Sequence, residues 1–213
     1  MLYKTFMRYT IEHKHETRER ILDAAARLFR REGYGGSGIG PLTKEAGVTN
    51  GAFYGHFKTK SEAFRAVVLS GMAQLKEGIA TLKAEQGSNW RLPFISFYLG
   101  QRRTCELGES CALASLSPEV MRADDETREA YEKSLSSIID EVSWGLRDLP
   151  GDDHDDRAIA LLSLLAGGVT LARAVRDPAV SERIANAVTR YATALTSAAN
   201  DADENQKENK RPT

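Results

Sequence analysis

Cysteine and long apolar runs are both scarce in this sequence of 213 residues. Its two cysteines, Cys105 and Cys111, are too few for a disulfide framework, which predicts a cytoplasmic protein. The best candidate for a membrane span, residues 159–169, contains a serine and two glycines and is shorter than the roughly 18 apolar residues required. The first fifteen residues alternate charged and aromatic side chains without an apolar core. We therefore expect neither a signal peptide nor a membrane partner.

Net charge is almost absent overall, at −1, but it is distributed unevenly along the chain. Residues 1–60 contain eleven Lys and Arg against six Asp and Glu, a net charge of +5, whereas residues 61–213 carry −6. A basic head on an acidic body suggests that the head alone binds a polyanion. Small domains often differ in charge by this much, so the asymmetry is not specific by itself.

The alternating pattern of a β-strand is also missing, and apolar residues recur at helical spacing almost throughout. The sequence therefore predicts an all-α fold. Gly33 and Gly47 are expected to end the first two helices, and Ser61 to cap the fourth. The polar tail, 198–213, lacks aromatic residues and is expected to be disordered. Helices are predicted near residues 17–32, 39–46, 49–55, 61–85, 90–103, 117–123, 124–148, 155–176 and 178–197.

Residues 39–57 have the pattern of a helix-turn-helix, in which two short helices are joined by a tight turn that contains glycine. Gly47 can adopt the left-handed conformation that such a turn needs. The second helix, near 49–55, begins with small or hydrogen-bonding side chains, as reading of base edges from a helix N-terminus requires. Phe53 and Phe57 are expected to face inward and to hold this helix in place.

Residues 46–60, AGVTNGAFYGHFKTK, closely resemble the DNA-binding domain of the TetR family of bacterial transcriptional regulators. The similarity extends over about fifty residues when the preceding helix is included. It implies an N-terminal extension at 1–16, a three-helix DNA-binding domain at 17–62 and a larger ligand-binding and dimerisation domain at 63–197. It also implies a homodimeric repressor that binds double-stranded operator DNA and is released by a small-molecule inducer.

The family motif assigns DNA contacts to individual positions of this chain. Tyr54 and His56 match residues that bond to phosphate oxygens, and Lys60 matches a lysine that opens the fourth helix, where phosphate is attracted. Packing alone remains the alternative role for Tyr54 and His56. The base-reading positions are Thr49, Asn50, Gly51 and Ala52. Thr43, on the preceding helix, is expected to contact the DNA backbone.

The second helix departs from the family pattern, because glycine and proline replace its usual Ser/Thr and acidic residues. Pro41 is tolerated only in the first turn of a helix, so this helix must begin near Gly38 or Ile39. Any phosphate contact from Gly38 would then come from its backbone N–H.

The C-terminal part resembles the family in architecture, and the resemblance leaves its ligand open. Aromatic side chains of its first helices are expected to line a pocket for a flat or weakly polar molecule, although each could equally be plain core. The predicted pocket comprises Trp90, Phe94, Phe97, Tyr98, Cys111, Tyr131 and Trp144. The last two helices resemble the dimerisation pair, with Leu161, Leu165, Gly168, Leu171, Ile184, Val188, Tyr191 and Leu195 as interface residues.

The two cysteines leave a second mode of sensing open. Arg102 and Arg103 precede Cys105, and neighbouring cations favour the reactive thiolate, so an electrophile or oxidant could be sensed here. The alternative is that Cys111, which is followed by small apolar residues, packs as a small hydrophobe.

Three patterns in the sequence suggest a dinucleotide site, a metal site or a catalytic site, but the context of each argues against it. Residues 33–38 fit GxGxxG but follow a helix rather than a strand, so no dinucleotide site is predicted. The acidic cluster at 152–156 fits a helix N-terminus better than a metal site. Three of the four histidines lie in or before the DNA-binding head, which leaves no catalytic constellation. We predict no cofactor, no metal and no enzymatic activity; a helical carrier or enzyme with a vestigial head is the alternative.

Overall fold

The computed structural model describes residues 2–197, with side chains from residue 13 onward, and all regular structure in this part is helical. This confirms the predicted all-α fold. Short 3-10 turns lie at Gly87–Trp90 and Leu107–Glu109. The α-helices are α1 (Leu2–Gly36), α2 (Ile39–Ala46), α3 (Asn50–Tyr54), α4 (Lys60–Gln86), α5 (Arg91–Leu99), α6 (Gln101–Thr104), α7 (Ala112–Val120), α8 (Asp125–Trp144), α9 (His154–Ala174) and α10 (Pro178–Leu195).

Helix boundaries differ from the predicted ones in two places. α1 begins at Leu2 rather than near residue 17, because residues 2–16 contain neither glycine nor proline to interrupt a helix. α7 begins at Ala112 rather than near 117. Pro118 therefore lies near the C-terminal end of this helix and not in its first turn. The predicted disordered tail lies outside the described residues.

The chain divides into two compact units. Unit 1 comprises Met1–Met72 and Glu106–Glu132, and unit 2 comprises Ala73–Cys105 and Lys133–Thr213. Unit 1 thus contains the predicted DNA-binding domain and, in addition, the first half of α4, all of α7 and the start of α8.

The core of unit 1 lies between α1 and the helices that follow it. One stripe of α1, which includes Ile21, Ala25 and Phe29, is buried, and Phe29 packs edge-on against Phe64 of α4 with ring centroids 5.4 Å apart. Ion pairs also join α1 to α2, because Glu45 receives hydrogen bonds from Arg27 at 3.0 Å and Arg31 at 3.1 Å. Burial alone would raise the pKa of Glu45, but these two arginines bring it below its ordinary value. Glu45 is therefore an anion that fastens α2 to α1.

The core of unit 2 is built on the pairing of α9 with α10. A Cβ added at Gly168 would lie 2.9 Å from a methyl group of Val188, so only glycine permits this close approach. Elsewhere in the unit, the Trp90 indole N–H donates to the Gly145 carbonyl at 3.1 Å. The rings of Trp90, Phe94 and Tyr98 then follow one another at 5.7 and 5.8 Å.

Among the described helices, α9 is long and apolar enough to cross a membrane by length and composition alone. The apolar stretch of the chain is therefore longer than residues 159–169, the run considered from the sequence. Core helices have the same composition when they are packed on both sides. Leu161, Leu165 and Val169 are buried within unit 2, so part of the apolar character of α9 reflects its place in a protein core.

Candidate nucleic-acid interface

The turn between α2 and α3 has the geometry that the sequence predicts. Gly47 adopts the left-handed conformation with φ 65° and ψ 37°, and its N–H donates to the Lys44 carbonyl at 3.2 Å. The Val48 N–H donates to the Thr43 carbonyl at 2.9 Å, which closes the turn. α2 begins at Ile39, with Gly38 at the capping position and without a side-chain cap, as Pro41 requires. The structure therefore contains the predicted helix-turn-helix.

The helix α3 has one buried and one exposed face. Thr49 caps it, since its hydroxyl oxygen accepts a hydrogen bond from the Ala52 N–H at 3.1 Å. Phe53 and, just beyond the helix, Phe57 are buried, with ring centroids 5.7 Å apart. Their inward orientation was predicted from the sequence. On the opposite face, Tyr54 is 56% exposed. The helix therefore presents a large hydrogen-bonding side chain to solvent while its buried face is anchored in the core.

Thr43 has a different position from the one expected. Its side chain is only 4% exposed, so it cannot make the predicted contact with a DNA backbone. Its hydroxyl instead lies within hydrogen-bond distance of two acceptors, the Asn50 Oδ1 atom at 2.7 Å and the Gly40 carbonyl at 3.1 Å. Asn50 is exposed at the start of α3, and the contact with Thr43 fixes its amide so that the Nδ2 group remains as a donor. Thr43 is thus a buried support for Asn50.

His56 is half-buried immediately after α3, and its backbone N–H donates to the Phe53 carbonyl at 2.9 Å. Burial lowers the pKa of its imidazole, and the positive charges of Lys14 and Arg18 lower it further. No role for Lys14 or Arg18 was predicted from the sequence. The signal that could have found them is their spacing, because positions 14, 18, 22, 25 and 29 share one face of α1.

Lys60 opens α4, as predicted, but its ammonium is already engaged. The Nζ group donates to the Tyr34 carbonyl and lies 4.2 Å from the centroid of the Tyr34 ring. Burial lowers the pKa of Lys60, and the nearby Glu119 carboxylate opposes this effect. Lys60 therefore ties the start of α4 to the end of α1, and its ammonium has further N–H donors with which to bind phosphate.

The cap of α4 is Thr59 and not Ser61. The Thr59 hydroxyl accepts from the Glu62 N–H at 3.0 Å, whereas Ser61 lies one position inside the helix and donates to Asp124. Asp124 also accepts from the Thr127 N–H at 2.8 Å. The hydrogen bonds from Ser61 and Thr127 lower the pKa of Asp124 to about 2. Ser61 thus connects α4 to the start of α8 within unit 1.

The residues predicted to line a ligand pocket are divided between the two units. Trp90, Phe94 and Tyr98 stack in the core of unit 2, whereas Phe97 and Trp144 are exposed on its surface. The other two, Cys111 and Tyr131, belong to unit 1. Tyr131 shares a 2.7 Å hydrogen bond with Ser117, and burial raises its pKa.

Unit 2 does contain an open groove of about 600 Å³ near the ends of α4, α8 and α10. Its lining combines apolar and polar side chains, and Arg91 and Asp148 form a two-pronged ion pair there at 2.6 and 3.2 Å. This groove uses none of the predicted aromatic residues. The groove residues are Gln86, Ser88, Asn89, Arg91, Leu92, Pro93, Ile95, Asp148, Leu149, Thr193, Thr196 and Ser197.

The predicted dimer residues also separate into two sets. Leu161, Leu165 and Gly168 are buried within the protomer, so they pack α9 and cannot offer surface to a partner. Leu171 and Tyr191 are 62% and 69% exposed and leave apolar surface free on α9 and α10. The remaining members, Ile184, Val188 and Leu195, are partly exposed.

The fold and this site define a helix-turn-helix DNA-binding protein, and sequence comparison agrees. Residues 21–67 match the family model for bacterial regulatory proteins of the tetR family. The regulator AcrR of Shigella flexneri is 47% identical over 60 residues, 28% of each chain. The repressor NemR of Escherichia coli K12 is 29% identical over 139 residues, which are 63% of this chain and 69% of NemR.

Solved structures extend the likeness to the whole fold. The reduced form of E. coli NemR superposes with a TM-score of 0.73 at 22% identity, covering 86% of this chain and all of NemR. Bacillus subtilis FadR in complex with stearoyl-CoA gives 0.65 at 18% identity, covering 84% of this chain and 98% of FadR. Residues 21–67 thus form a DNA-binding domain of the tetR family type, and the curated relatives that the chain matches are described as transcriptional regulators.

Proposed function

We propose that the protein is a homodimeric repressor that binds a palindromic operator in the cytoplasm and is released from it by a small molecule. The observation that carries this proposal is the exposed face of α3, where Asn50, Gly51 and Tyr54 stand opposite the buried Phe53. A helix that is anchored on its buried face and carries hydrogen-bonding groups on its exposed face is suited to enter a major groove.

Each exposed residue of α3 suits a different part of the DNA. The Asn50 amide, with its oxygen held by Thr43, directs its Nδ2 donor outward toward acceptors such as adenine N7 or phosphate oxygens. Gly51 has no side chain and lets the helix backbone approach the groove closely. The Tyr54 hydroxyl reaches outward as a donor to phosphate, which positions the helix without reading sequence.

Dimerisation supplies the second half of the operator contact. Two recognition helices must lie about 34–36 Å apart to enter successive major grooves. The exposed side chains of Leu171 and Tyr191 on α9 and α10 provide apolar surface of the kind that a self-complementary interface buries.

Release by a ligand is proposed because a relative with the same fold, FadR, is described in complex with stearoyl-CoA. In this chain the groove beside Arg91 is the open space in unit 2 that we assign to a ligand with polar groups. Binding there favours a conformer of the dimer whose recognition helices no longer match the groove spacing.

Replacement of Tyr54 tests the DNA-binding role directly. Tyr54→Ala is expected to lower affinity for a duplex from the region upstream of the protein's own gene by roughly tenfold or more, since one phosphate contact is lost in each half-site. Fluorescence anisotropy measures the dissociation constant. Tyr54→Phe, which removes only the hydroxyl, separates the hydrogen bond from packing. Unchanged affinity of the alanine variant would remove α3 from the DNA interface.

A second candidate, sensing through a thiol, is favoured by the surroundings of Cys105. The Arg173 guanidinium lies 3.8 Å from the Cys105 sulfur and donates to the carbonyls of Arg102, Arg103 and Cys105 at 2.9–3.1 Å. Arg173 thus places a guanidinium N–H beside the Cys105 sulfur, and reactive cysteines are found in surroundings of this kind. The NemR structure with the same fold is described as a reduced form, which supports a redox-dependent state in that relative.

The thiol hypothesis predicts a selective effect of substitution. The Cys105 thiolate adds to a ring carbon of the quinone and forms a carbon–sulfur bond. The resulting enolate then takes a proton from water. Treatment with benzoquinone is then expected to weaken binding to the upstream duplex by tenfold or more in the unsubstituted protein and in Cys111→Ser, but not in Cys105→Ser. Mass spectrometry of the adduct locates the site. Equal sensitivity of the two variants would exclude Cys105 as the sensor.

A further inference from the structure

The middle turns of α1, near residues 14–18, bring positive charge next to the recognition helix. Lys14 and Arg18 lie one helical turn apart and therefore share a face of α1. Further along the same face, Ala25 and Phe29 are buried against the rest of unit 1. The face that packs in the core thus continues N-terminally as a cationic face, beyond the point where the core ends.

The residues that follow α3 show where this cationic face lies. The Arg18 guanidinium lies 5.0 Å from the centroid of the Phe57 ring, which is buried beneath α3. Lys14 and Arg18 are both close enough to His56 to act on its imidazole electrostatically. Two cations of α1 therefore lie near the imidazole that follows the C-terminal end of the recognition helix.

The acidic residues of the same segment point elsewhere. At 100° per residue, Glu16 and Asp23 fall on the side of α1 opposite Arg18. Glu16 lies 3.9 Å from His13, and Glu19 lies within 4.0 Å of His15 and 3.6 Å of Arg18. Among residues 13–29, where side chains of α1 are described, Glu19 is the carboxylate paired with this face, so Lys14 and Arg18 together keep it net positive.

We propose that Lys14 and Arg18 extend the DNA-contacting surface beyond the helix-turn-helix and bind backbone phosphates that flank the bases read by α3. The partner is the phosphate backbone of the operator, which carries no sequence information, so the contact adds affinity without specificity. This inference rests on the proposed DNA-binding function and adds a surface to it. Arg18 additionally stacks on Phe57, which fixes its guanidinium close to the recognition helix.

Salt dependence of binding distinguishes a phosphate contact from a structural role. Lys14→Gln and Arg18→Gln are each expected to reduce the slope of log K against log salt by about 0.9 per phosphate, or about 1.8 for the two half-sites of a dimer. Affinity at about 0.15 M salt should fall on the order of tenfold, equally for the upstream duplex and for a random duplex of the same length. Arg18→Lys, which keeps the charge but loses the planar group, should retain most of the slope.

Arg20 provides the matched control. It is an exposed cation on the same helix, two residues from Arg18 and on the opposite face. Arg20→Gln is expected to leave both slope and affinity unchanged. If Lys14→Gln and Arg18→Gln kept the parent slope while Tyr54→Ala weakened binding, the added surface would be refuted and the DNA-binding function would stand. If the parent itself bound neither duplex in a salt-sensitive way, the DNA-binding function would fail as well.

Discussion

Simultaneous replacement of Leu171 and Tyr191 by glutamate is expected to yield a monomer that binds the operator 10²–10⁴ times more weakly than the parent, the factor that a linked second site contributes. Both side chains are large, apolar and more than half exposed on α9 and α10. Burying two new carboxylates in a self-complementary contact would place four charges in one apolar interface, which is costly without partners. Each recognition helix would then have to bind its half-site alone.

Sedimentation velocity measures the oligomeric state, and anisotropy with a duplex containing both half-sites measures affinity. Met121→Glu is a suitable control, because Met121 is 70% exposed but lies at the end of α7 in unit 1. It should remain dimeric and bind DNA as the parent does. Circular dichroism should show the same helical content for all three proteins. A double variant that still sediments as a dimer would place the interface on another surface.

The parts of the molecule that the sequence predicts well are those governed by neighbouring residues. Gly47 marks the turn because a left-handed residue is needed at that one position, and Pro41 fixes the start of α2 through the N–H that it lacks. The inward orientation of Phe53 and Phe57 follows from their four-residue spacing. These signals require no knowledge of the rest of the fold.

Contacts between elements are not encoded so locally. The bond from Thr43 to Asn50 crosses the turn and depends on two side-chain rotamers, so Thr43 could not be distinguished from an exposed DNA contact. In α9, apolar residues occur on every side, and periodicity alone cannot tell the buried Leu161 from the exposed Leu171. The aromatic residues from Trp90 to Tyr98 look equally suited to a pocket or a core, and only packing decides between them.

Phe53→Ala is expected to lower the free energy of unfolding by about 3–5 kcal/mol, the usual cost of a cavity of this size in a core. Phe53 is fully buried, and its ring contacts Phe57 and Tyr54 with centroids 5.7 and 5.4 Å away. A helix as short as α3 has almost no stability of its own, so its position depends on this anchor. Urea unfolding followed by circular dichroism measures the loss.

Tyr54→Ala is the control for this substitution, because Tyr54 is the next residue and is mostly exposed. Its stability should change by about 0.5 kcal/mol or less, as is typical of surface positions. Both variants should lose DNA affinity, but for different reasons: Phe53→Ala because α3 is no longer held, and Tyr54→Ala because a contact is missing. Phe53→Leu, which refills most of the cavity, should recover most of the stability and much of the DNA binding. If Phe53→Ala were as stable as the parent, α3 could not depend on this anchor, and the rigid presentation of Asn50 and Tyr54 would need another cause.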